Sequence, residues 1–195
     1  MRERVLRVGY APGVTPDKWA RAWRERRDGV RLELVQLEEA EAEQFVRDKR
    51  VDMALARLPV DRTGLHLVRL YDELPVVVVS REHPVAAYDE IELAELADEQ
   101  FITELPDGFT PRAPQLEFPP MSAKEAIEVA ASGTGIAILP MSVARLHHRK
   151  DTTHRPVLGP EPTTVALIWL TERDDAITQA FVGVTRGRTP RSSRG

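Results

Sequence analysis

The stretch MSAKEAIEVAASGTGIAILP, residues 121–140, predicts a helix, a turn and a strand in succession. Ser122 and Glu125 have the spacing of a capping box, in which each side chain accepts a hydrogen bond from a backbone N–H of the first helical turn. Gly133 is suited to the left-handed conformation that ends a helix. The apolar run at residues 136–139 then predicts a short strand that is buried on both faces. The stretch therefore indicates a helix that packs closely against a sheet.

The chain before this stretch alternates strands with helices. The predicted elements lie in turn at residues 5–10, 15–27, 32–37, 38–49 and 53–56. Thr15 can cap the first of these helices, with Pro16 in its first helical position. Each helix returns the chain to the edge of the sheet at which the previous strand began. Strands joined in this way pair in parallel, through right-handed crossovers. This part of the chain therefore predicts a parallel sheet of the α/β class.

The rest of the chain predicts further strands and helices around a linker. The strands are expected at residues 65–71, 74–80, 100–103 and 163–170, and the helices at residues 93–97 and 174–185. Between Thr103 and Ser122 the chain has five prolines, which exclude a regular helix or a central strand there. Residues 189–195 carry only basic charges and have no apolar periodicity, so we expect a disordered tail.

Composition limits the possible functions. The formal net charge is −4 and the isoelectric point is near 5.8, which argues against nucleic-acid binding through this chain's own surface. The sequence has no cysteine, so disulfides and thiolate chemistry are excluded. No apolar run has the roughly eighteen residues of a membrane helix, and the N-terminus has no apolar core typical of a secretory signal. We therefore expect a cytoplasmic protein without membrane contact.

The stretch at residues 122–140 resembles the S-x-x-E-A-x-x-x-V-A-x-G-x-G-I-A-x-L-P pattern in the effector-binding domain of LysR-type transcriptional regulators. Four other stretches fit the same family in the same order. They are LRVGY at 6–10, VDMALARLPVD at 51–61, GLHLVRLYDELPVVVVSREHPVA at 64–86 and LAELADEQFI at 93–102. Together these stretches extend the resemblance over most of residues 6–186.

The resemblance implies an α/β fold of two Rossmann-like subdomains with a cleft between them, similar to type 2 periplasmic binding proteins. On this basis subdomain I comprises residues 1–76 and 168–188, and subdomain II comprises residues 77–167. Regulators of this family usually have a further helix and strand where this chain has its proline-rich linker, so subdomain II is expected to be trimmed. They also carry an N-terminal winged helix-turn-helix, which we expect to be absent here because the first predicted strand begins near Met1.

Two helix N-termini are candidate anion contacts, because their backbone N–H groups lack partners within the helix. The first follows the turn that contains Pro12, Gly13 and Thr15, and the second begins at Ser122. The family resemblance places the Ser122 terminus at the ligand cleft. The alternative for both hydroxyls is that they cap their helices and do nothing more.

The remaining candidates lie at strand ends and near glycines. Arg57 follows a predicted strand and can bind an anion through two hydrogen bonds, although a surface ion pair with Asp61 or Asp72 would also explain it. Thr103 is a weaker candidate at the end of its strand. Thr134 and Ile136 lie in the glycine-flanked turn and can line the cleft, although packing is the simpler explanation. Together with the first group, the expected ligand-binding residues are Pro12, Gly13, Thr15, Arg57, Thr103, Ser122, Thr134 and Ile136.

Catalysis and metal binding are not indicated. The five histidines are scattered or adjacent and do not have the spacing of a ligand set. We find no order of serine, histidine and aspartate typical of hydrolases, no phosphate-binding loop and no dinucleotide fingerprint. We therefore expect a protein that is not an enzyme and that needs neither a cofactor nor a metal.

The resemblance implies a module that binds a small effector, which we expect to be an organic anion such as a carboxylate. Such a module would form a homodimer through subdomain I, as family members do. The alternative is a ligand-independent dimerisation or interaction module that pairs with a full-length regulator, because the trimmed subdomain II puts the cleft in question.

Overall fold

The structure is a computed structural model and describes residues 4–26 and 29–187. The chain divides into two compact units. Unit 1 is drawn from Met1–Asp72 and Thr164–Gly195, and unit 2 is Glu73–Thr163. The predicted basic tail at residues 189–195 lies outside the described residues. Both units combine helices with a sheet, so the predicted α/β class is confirmed.

The elements follow each other closely along the chain. The strands are β1 (Arg4–Tyr10), β2 (Val30–Gln36), β3 (Met53–Arg57), β4 (Leu65–Glu73), β5 (Pro75–Ser80), β6 (Ile91–Glu92), β7 (Ala137–Pro140), β8 (Thr152–Leu158) and β9 (Thr163–Leu170). The helices are α1 (Asp17–Glu25), α2 (Ala42–Arg47), α3 (Ala123–Ala131), α4 (Met141–Leu146) and α5 (Ala176–Thr185). Short 3-10 turns cover Glu39–Glu41, Pro84–Ala87, Leu93–Leu96 and Thr171–Arg173.

Unit 1 is built on a five-stranded sheet with the order β2-β1-β3-β9-β4. Strand β1 pairs in parallel with both β2 and β3, as the alternation of strands and helices predicts. Strand β9 returns antiparallel to β3. One core cluster joins α1 and α5 to the sheet, and a second joins α2 to it. The helices therefore cover the apolar surface that the buried strands present.

Helix α1 is fixed by two tryptophans one turn apart. Trp19 and Trp23 are both buried, and the indole N–H of Trp23 donates to the carbonyl of Val30 at 2.9 Å. The start of α1 differs from the prediction, because Pro16 and not Thr15 is its N-cap, and no side chain in the described residues caps it. The Pro16 carbonyl accepts from the N–H groups of Trp19 and Ala20 at 3.0 Å, so the helix begins one residue later than a Thr15 cap would require.

Unit 2 has a four-stranded sheet with the order β6-β8-β5-β7. Strand β5 pairs antiparallel with both neighbours, and its burial confirms the interior position expected for consecutive valines. The predicted strand at residues 100–103 is reduced to one parallel bridge between Phe101 and Ile136. The predicted burial of residues 136–139 on both faces is also wrong in part, because β7 is the last strand of its sheet and only its first residue is fully buried.

The boundaries between the units lie earlier in the chain than expected. The structure divides the chain at residues 72/73 and 163/164, whereas the sequence predicts 76/77 and 167/168. The predicted boundaries would cut through β5 and β9. A strand that is hydrogen-bonded to one sheet along its length moves with that sheet, so β5 stays in unit 2 and β9 stays almost wholly in unit 1.

The proline-rich linker is held in place by two glutamines. Residues 104–121, all of them described, contain neither helix nor strand, as predicted. The side-chain amide of Gln100 bonds the backbone of residues 114–116 at 2.8 Å through both its oxygen and its nitrogen. Gln115 does the same to the backbone of residues 99–101 at 2.9 Å. These hydrogen bonds therefore fix the linker to residues 99–101, although it has no regular secondary structure.

Helix α3 and the turn after it match the prediction closely. The capping box of Ser122 and Glu125 is present. Gly133 has φ of +77° and its N–H donates to the carbonyl of Ala130, so it ends the helix in the left-handed conformation. Gly135 serves a different need, because a Cβ there would lie 2.6 Å from the backbone oxygen of Gln100.

We predict that the two glycines differ in their tolerance of alanine. Gly133→Ala should lower the free energy of unfolding by about 1 kcal/mol, since only its left-handed conformation is unfavourable. Gly135→Ala should lower it by about 3 kcal/mol, because backbone atoms must separate to admit the methyl group. Urea denaturation of both variants measures this difference. Equal losses in the two variants would show that the close approach at Gly135 is unimportant.

Candidate functional site

The carboxyl ends of three parallel strands meet at one edge of the unit 1 sheet. Tyr10 at the end of β1 is in register with Gln36 of β2 and with Leu55 of β3. In open α/β sheets this edge is where ligands gather. The residues that follow these register positions are therefore the first candidates for a binding surface in unit 1.

Arg57 ends β3 at this edge and is almost fully enclosed. Its side chain is 2% exposed, and its Nη1 atom lies 3.1 Å from Oε2 of Glu39. Glu39 is 51% exposed and begins the 3-10 turn that follows β2. The interpretation of Arg57 as a surface ion pair is therefore wrong, because the guanidinium is buried.

Glu39 was missed by the sequence analysis. Glu39 lies in a run of glutamates that predicts a solvated helix face, so its residue type does not distinguish it from its neighbours. Its position does, because it lies just beyond the carboxyl end of a predicted strand, as Arg57 does. Asp61, one of the two partners considered for Arg57, instead bonds Thr63 and lies 3.7 Å from Arg47.

The turn between β1 and α1 carries the other unit 1 candidates. Pro12 and Gly13 are partly buried, and Gly13 has φ of +81°, which a side chain would disfavour. Thr15 is exposed. The N–H of Ala11 donates to the carbonyl of Leu55 at 3.0 Å, which ties this turn to the strand that ends in Arg57. Pro12, Gly13 and Arg57 therefore belong to one edge of unit 1.

In unit 2, the N-terminus of α3 already carries a negative charge. The Ser122 hydroxyl donates to Oε2 of Glu125 at 2.8 Å, and the Ser122 N–H donates to the same oxygen at 2.7 Å. These hydrogen bonds hold the pKa of Glu125 below its ordinary value. The carboxylate is therefore ionised at neutral pH and repels a second anion at this terminus. Ser122 is a cap, and the expected attraction of an anion to it is weakened.

Thr103 and Ile136 are engaged in the fold of unit 2. The Thr103 hydroxyl donates to the carbonyl of Ile138 at 3.2 Å and accepts from its N–H at 3.0 Å, so it replaces a backbone rung. The side chain of Ile136 is fully buried in a core cluster. The hydrogen bonds of Thr103 and the burial of Ile136 leave these two side chains little capacity to contact a ligand directly.

Thr134 lies at the other end of α3 from Ser122. Helix α3 has nine residues, which corresponds to about 13 Å along its axis. Thr134 is exposed, and its hydroxyl shares a hydrogen bond of 2.7 Å with Ser132. The structure therefore separates Ser122 from Thr134 by more than the length of a small carboxylic acid, and one such ligand cannot contact both.

A groove of about 590 Å³ in unit 2 lies at this same far end of α3. It is lined by residues 80–84, residues 131–133 and Asp151. None of the predicted ligand-binding residues belongs to this lining. Within the described residues, no group of three or more histidine, aspartate or glutamate side chains is placed to hold a metal ion. In residues 4–26 and 29–187, no helix has the length and apolar character needed to cross a membrane.

Comparison with known proteins identifies the family. Residues 2–189 match the family described as the LysR substrate binding domain. The chain belongs to this family. The solved structure of the BenM effector binding domain with its effector benzoate superposes with a TM-score of 0.75 over 95% of this chain and 91% of that domain, at 18% identity. The LysR-domain chain thus has the periplasmic-binding-protein-like fold that the resemblance implies.

Curated relatives of this LysR-domain chain are transcriptional regulators. The HTH-type transcriptional regulator AlsR of Bacillus subtilis is 23% identical over 167 residues, which cover 77% of this chain and 55% of AlsR. The Hca operon transcriptional activator HcaR of Escherichia coli is 31% identical over 104 residues, which cover 52% of this chain and 35% of HcaR. The matched part is thus about half of AlsR and about one third of HcaR.

We predict that the Glu125 carboxylate depends on Ser122 for its low pKa. The folded-state pKa is lowered, so the cap stabilises the fold above the ordinary glutamate pKa and loses its effect as pH falls through the folded value. Carboxyl NMR titration should show this low pKa in the wild type and only a partial return toward the ordinary value in Ser122→Ala, because the backbone N–H of residue 122, the larger cause, remains. An unchanged pKa in Ser122→Ala would mean that the hydroxyl contributes nothing.

Proposed function

We propose that this LysR-family chain is an effector-binding module that binds a small organic anion, most simply a carboxylate, through Arg57. The single observation that supports this most strongly is a buried guanidinium at the carboxyl edge of the unit 1 sheet. The related BenM domain was solved with its effector benzoate, which is a carboxylate. The relatives are transcriptional regulators, and we propose a regulatory role without catalysis, metal or cofactor for this chain as well.

The anion contact is proposed to lie at the edge formed by Arg57 and the turn of Pro12 and Gly13. A hydrogen bond from arginine to a charged group contributes about 1.5–3 kcal/mol. The N-terminus of α1, just past Thr15, adds about 0.3–1 kcal/mol. This sum is close to the roughly 4 kcal/mol of a millimolar complex. Apolar enclosure of the effector's body must supply the remainder.

The unit 2 candidates take a different role in this proposal. With Glu125 ionised at the start of α3, we propose that Ser122 caps the helix and does not bind the carboxylate of the effector. Thr103 and Ile136 are proposed to support the fold of unit 2. Thr134, at the far end of α3, is proposed not to contact the same ligand.

The output of binding is proposed to reach DNA through another domain. Because the chain covers only part of its curated relatives, we propose that a DNA-binding domain outside these residues responds to the effector, and that the chain does not contact nucleic acid directly. The acidic net charge of −4 supports this separation of roles. The setting we propose is the cytoplasm.

We predict that organic carboxylates raise the melting temperature and that Arg57 is required. A ligand at one hundred times its dissociation constant stabilises the folded state by about 2.7 kcal/mol, which corresponds to about 5 °C or more for a chain of this size. The panel comprises organic acids, aromatic carboxylates and amino acids. Arg57→Lys and Arg57→Ala should each weaken binding by at least about tenfold, or about 1.4 kcal/mol.

Arg47→Ala is the matched control for this screen. Arg47 also belongs to an arginine–glutamate pair of unit 1, with Glu43 at 2.8 Å, but it lies in α2 and bonds the carbonyls of Asp61 and Thr63. This variant should lose stability and keep its ligand-induced shift. The proposal is wrong if no panel member shifts the wild type, or if Arg47→Ala abolishes the shift as fully as Arg57→Ala does.

The lack of helix and strand in residues 104–121 favours a second candidate function, a dimerising module without a ligand. The family resemblance predicts a helix and a strand where residues 104–121 have neither, and all of these residues are described. Such a chain would pair through unit 1 with a second copy, or with a full-length regulator. Helices α1 and α2 are the elements we propose for this contact.

We predict a homodimer for this chain under either function. Light scattering across a hundredfold range of concentration should give a mass near twice the 21.9 kDa of one chain. A mass that stays at one chain throughout would contradict the dimerising module. It would leave the anion-binding proposal to be decided by the ligand screen.

A further inference from the structure

The groove in unit 2 has no part in the function proposed above. It lies where β5 and α3 end, and it is lined by the loop at residues 80–84, the end of α3 at residues 131–133, and Asp151. Its volume of about 590 Å³ falls within the range of about 300–1,000 Å³ that is typical of small-molecule sites. The groove belongs to unit 2 alone, and it is at the opposite end of α3 from Ser122.

The loop at residues 80–84 is a fixed wall of this groove. The N–H of Arg81 donates to the carbonyl of Asp151 at 3.0 Å, and the N–H of His83 donates to the carbonyl of Ser80 at 3.0 Å. The N–H of Glu82 donates to the Ser80 hydroxyl at 3.3 Å. A wall that is fixed before a ligand arrives loses little conformational freedom on binding, so it favours affinity.

His83 supports this wall and carries no charge into the groove. Its Nδ1 atom accepts from the N–H of Val85 at 3.2 Å, so the ring proton lies on Nε2. Nε2 lies 3.2 Å from Oε2 of Glu99, to which it donates. Both ring nitrogens are therefore occupied within the fold, and the charged contacts of the groove have to come from other side chains.

Arg81 supplies the positive charge of the groove. Its side chain is exposed, and its guanidinium makes no hydrogen bond or ion pair with any residue in 4–26 or 29–187. A guanidinium binds a carboxylate through two parallel hydrogen bonds. Arg81 is therefore available to the carboxylate of a ligand in the groove.

The other charges of the groove are negative. Residues 131–133 form the carboxyl end of α3, where the helix dipole favours a cation. Asp151 is already paired, because Arg149 binds both of its carboxylate oxygens at 2.9 and 2.8 Å. The Glu82 carboxylate makes no such pair within the part of the chain that the structure describes. Glu82 and the end of α3 therefore provide the attraction for a positive group.

We propose that this groove is a second binding site, which takes a small zwitterion of the amino-acid type. The carboxylate of the ligand binds Arg81, and its ammonium group lies at Glu82 and the carboxyl end of α3. A ligand with a single charge meets one attraction and one repulsion in this groove, whereas a zwitterion matches both signs. The site goes beyond the anion-binding function of Arg57 and does not depend on it.

The test follows the backbone amide resonances of the whole chain by NMR during titration with L-alanine and L-leucine. The N-acetyl derivative of each amino acid keeps only the negative charge, and the amide of each keeps only the positive charge. The amino acids should shift the resonances of residues 80–84 and 131–133. Each singly charged derivative should bind at least about tenfold more weakly, because one charged hydrogen bond is lost.

Three variants assign the contacts. Arg81→Gln should weaken binding of the amino acid by at least about tenfold, because the carboxylate loses its charged partner. Arg145→Gln is the matched control, since Arg145 is also an exposed arginine of unit 2 but lies in α4, outside the lining of the groove. This control should bind as the wild type does. Arg57→Ala should leave the shifts at residues 80–84 and 131–133 unchanged.

The outcomes separate this inference from the proposed function. The second site is wrong if neither amino acid shifts the groove resonances, if a singly charged derivative binds as well as its parent, or if Arg145→Gln weakens binding as much as Arg81→Gln. If carboxylates bind through Arg57 and the groove does not respond, the effector module stands without a second site. If amino acids bind the groove in wild type and Arg57→Ala alike and no organic acid binds through Arg57, the second site stands and the proposed function is wrong.

Discussion

Parallel pairing of β1 with β2 and β3 is the constraint on which the candidate site depends. Parallel strands need crossover connections, which here are provided by α1 and by the Glu39–Glu41 turn with α2. All three strands then end at the same edge, and the residues just beyond their ends are brought together although they are distant in sequence. Arg57 and Glu39, separated by 18 residues, meet for this reason.

The two units treat negative charge in opposite ways. In unit 1 the buried guanidinium of Arg57 has Glu39, which is half exposed, as one of its partners. In unit 2 the N-terminus of α3 is satisfied by Glu125, whose carboxylate accepts from both the N–H and the hydroxyl of Ser122. An incoming anion finds an arginine in the first case and a fixed like charge in the second. The chemistry therefore favours unit 1 as the anion anchor.

The sequence predicted most of what local chemistry decides. The capping box, the left-handed Gly133, the parallel pairing of unit 1 and the linker without regular structure all follow from residue types at short spacing, and all are confirmed. The sequence did not predict which carboxylate meets Arg57. That contact depends on strand register, which fixes distances between residues far apart in the chain.

Errors in the predicted unit boundaries have the same origin. Residue types near 76 and 167 do not reveal which sheet a strand joins, because β5 and β9 are both buried apolar runs. Similarly, Thr103 and Ile136 look available in the sequence because a hydroxyl and an apolar side chain next to glycine suit a ligand site. In the structure the hydroxyl replaces a backbone rung and the isoleucine fills the core.

The glutamine contacts explain how the linker of unit 2 is held in place although it has no regular structure. A side-chain amide offers N–H donors and a carbonyl acceptor, as a peptide group does, so Gln100 and Gln115 pair with backbone groups in the way that a neighbouring strand would. Backbone groups at residues 99–101 thus find partners although the linker is irregular, and an orphaned N–H such as that of Phe101 is avoided. The linker of unit 2 therefore needs no regular structure of its own, because two side-chain amides take the place of the backbone partners that a strand would provide.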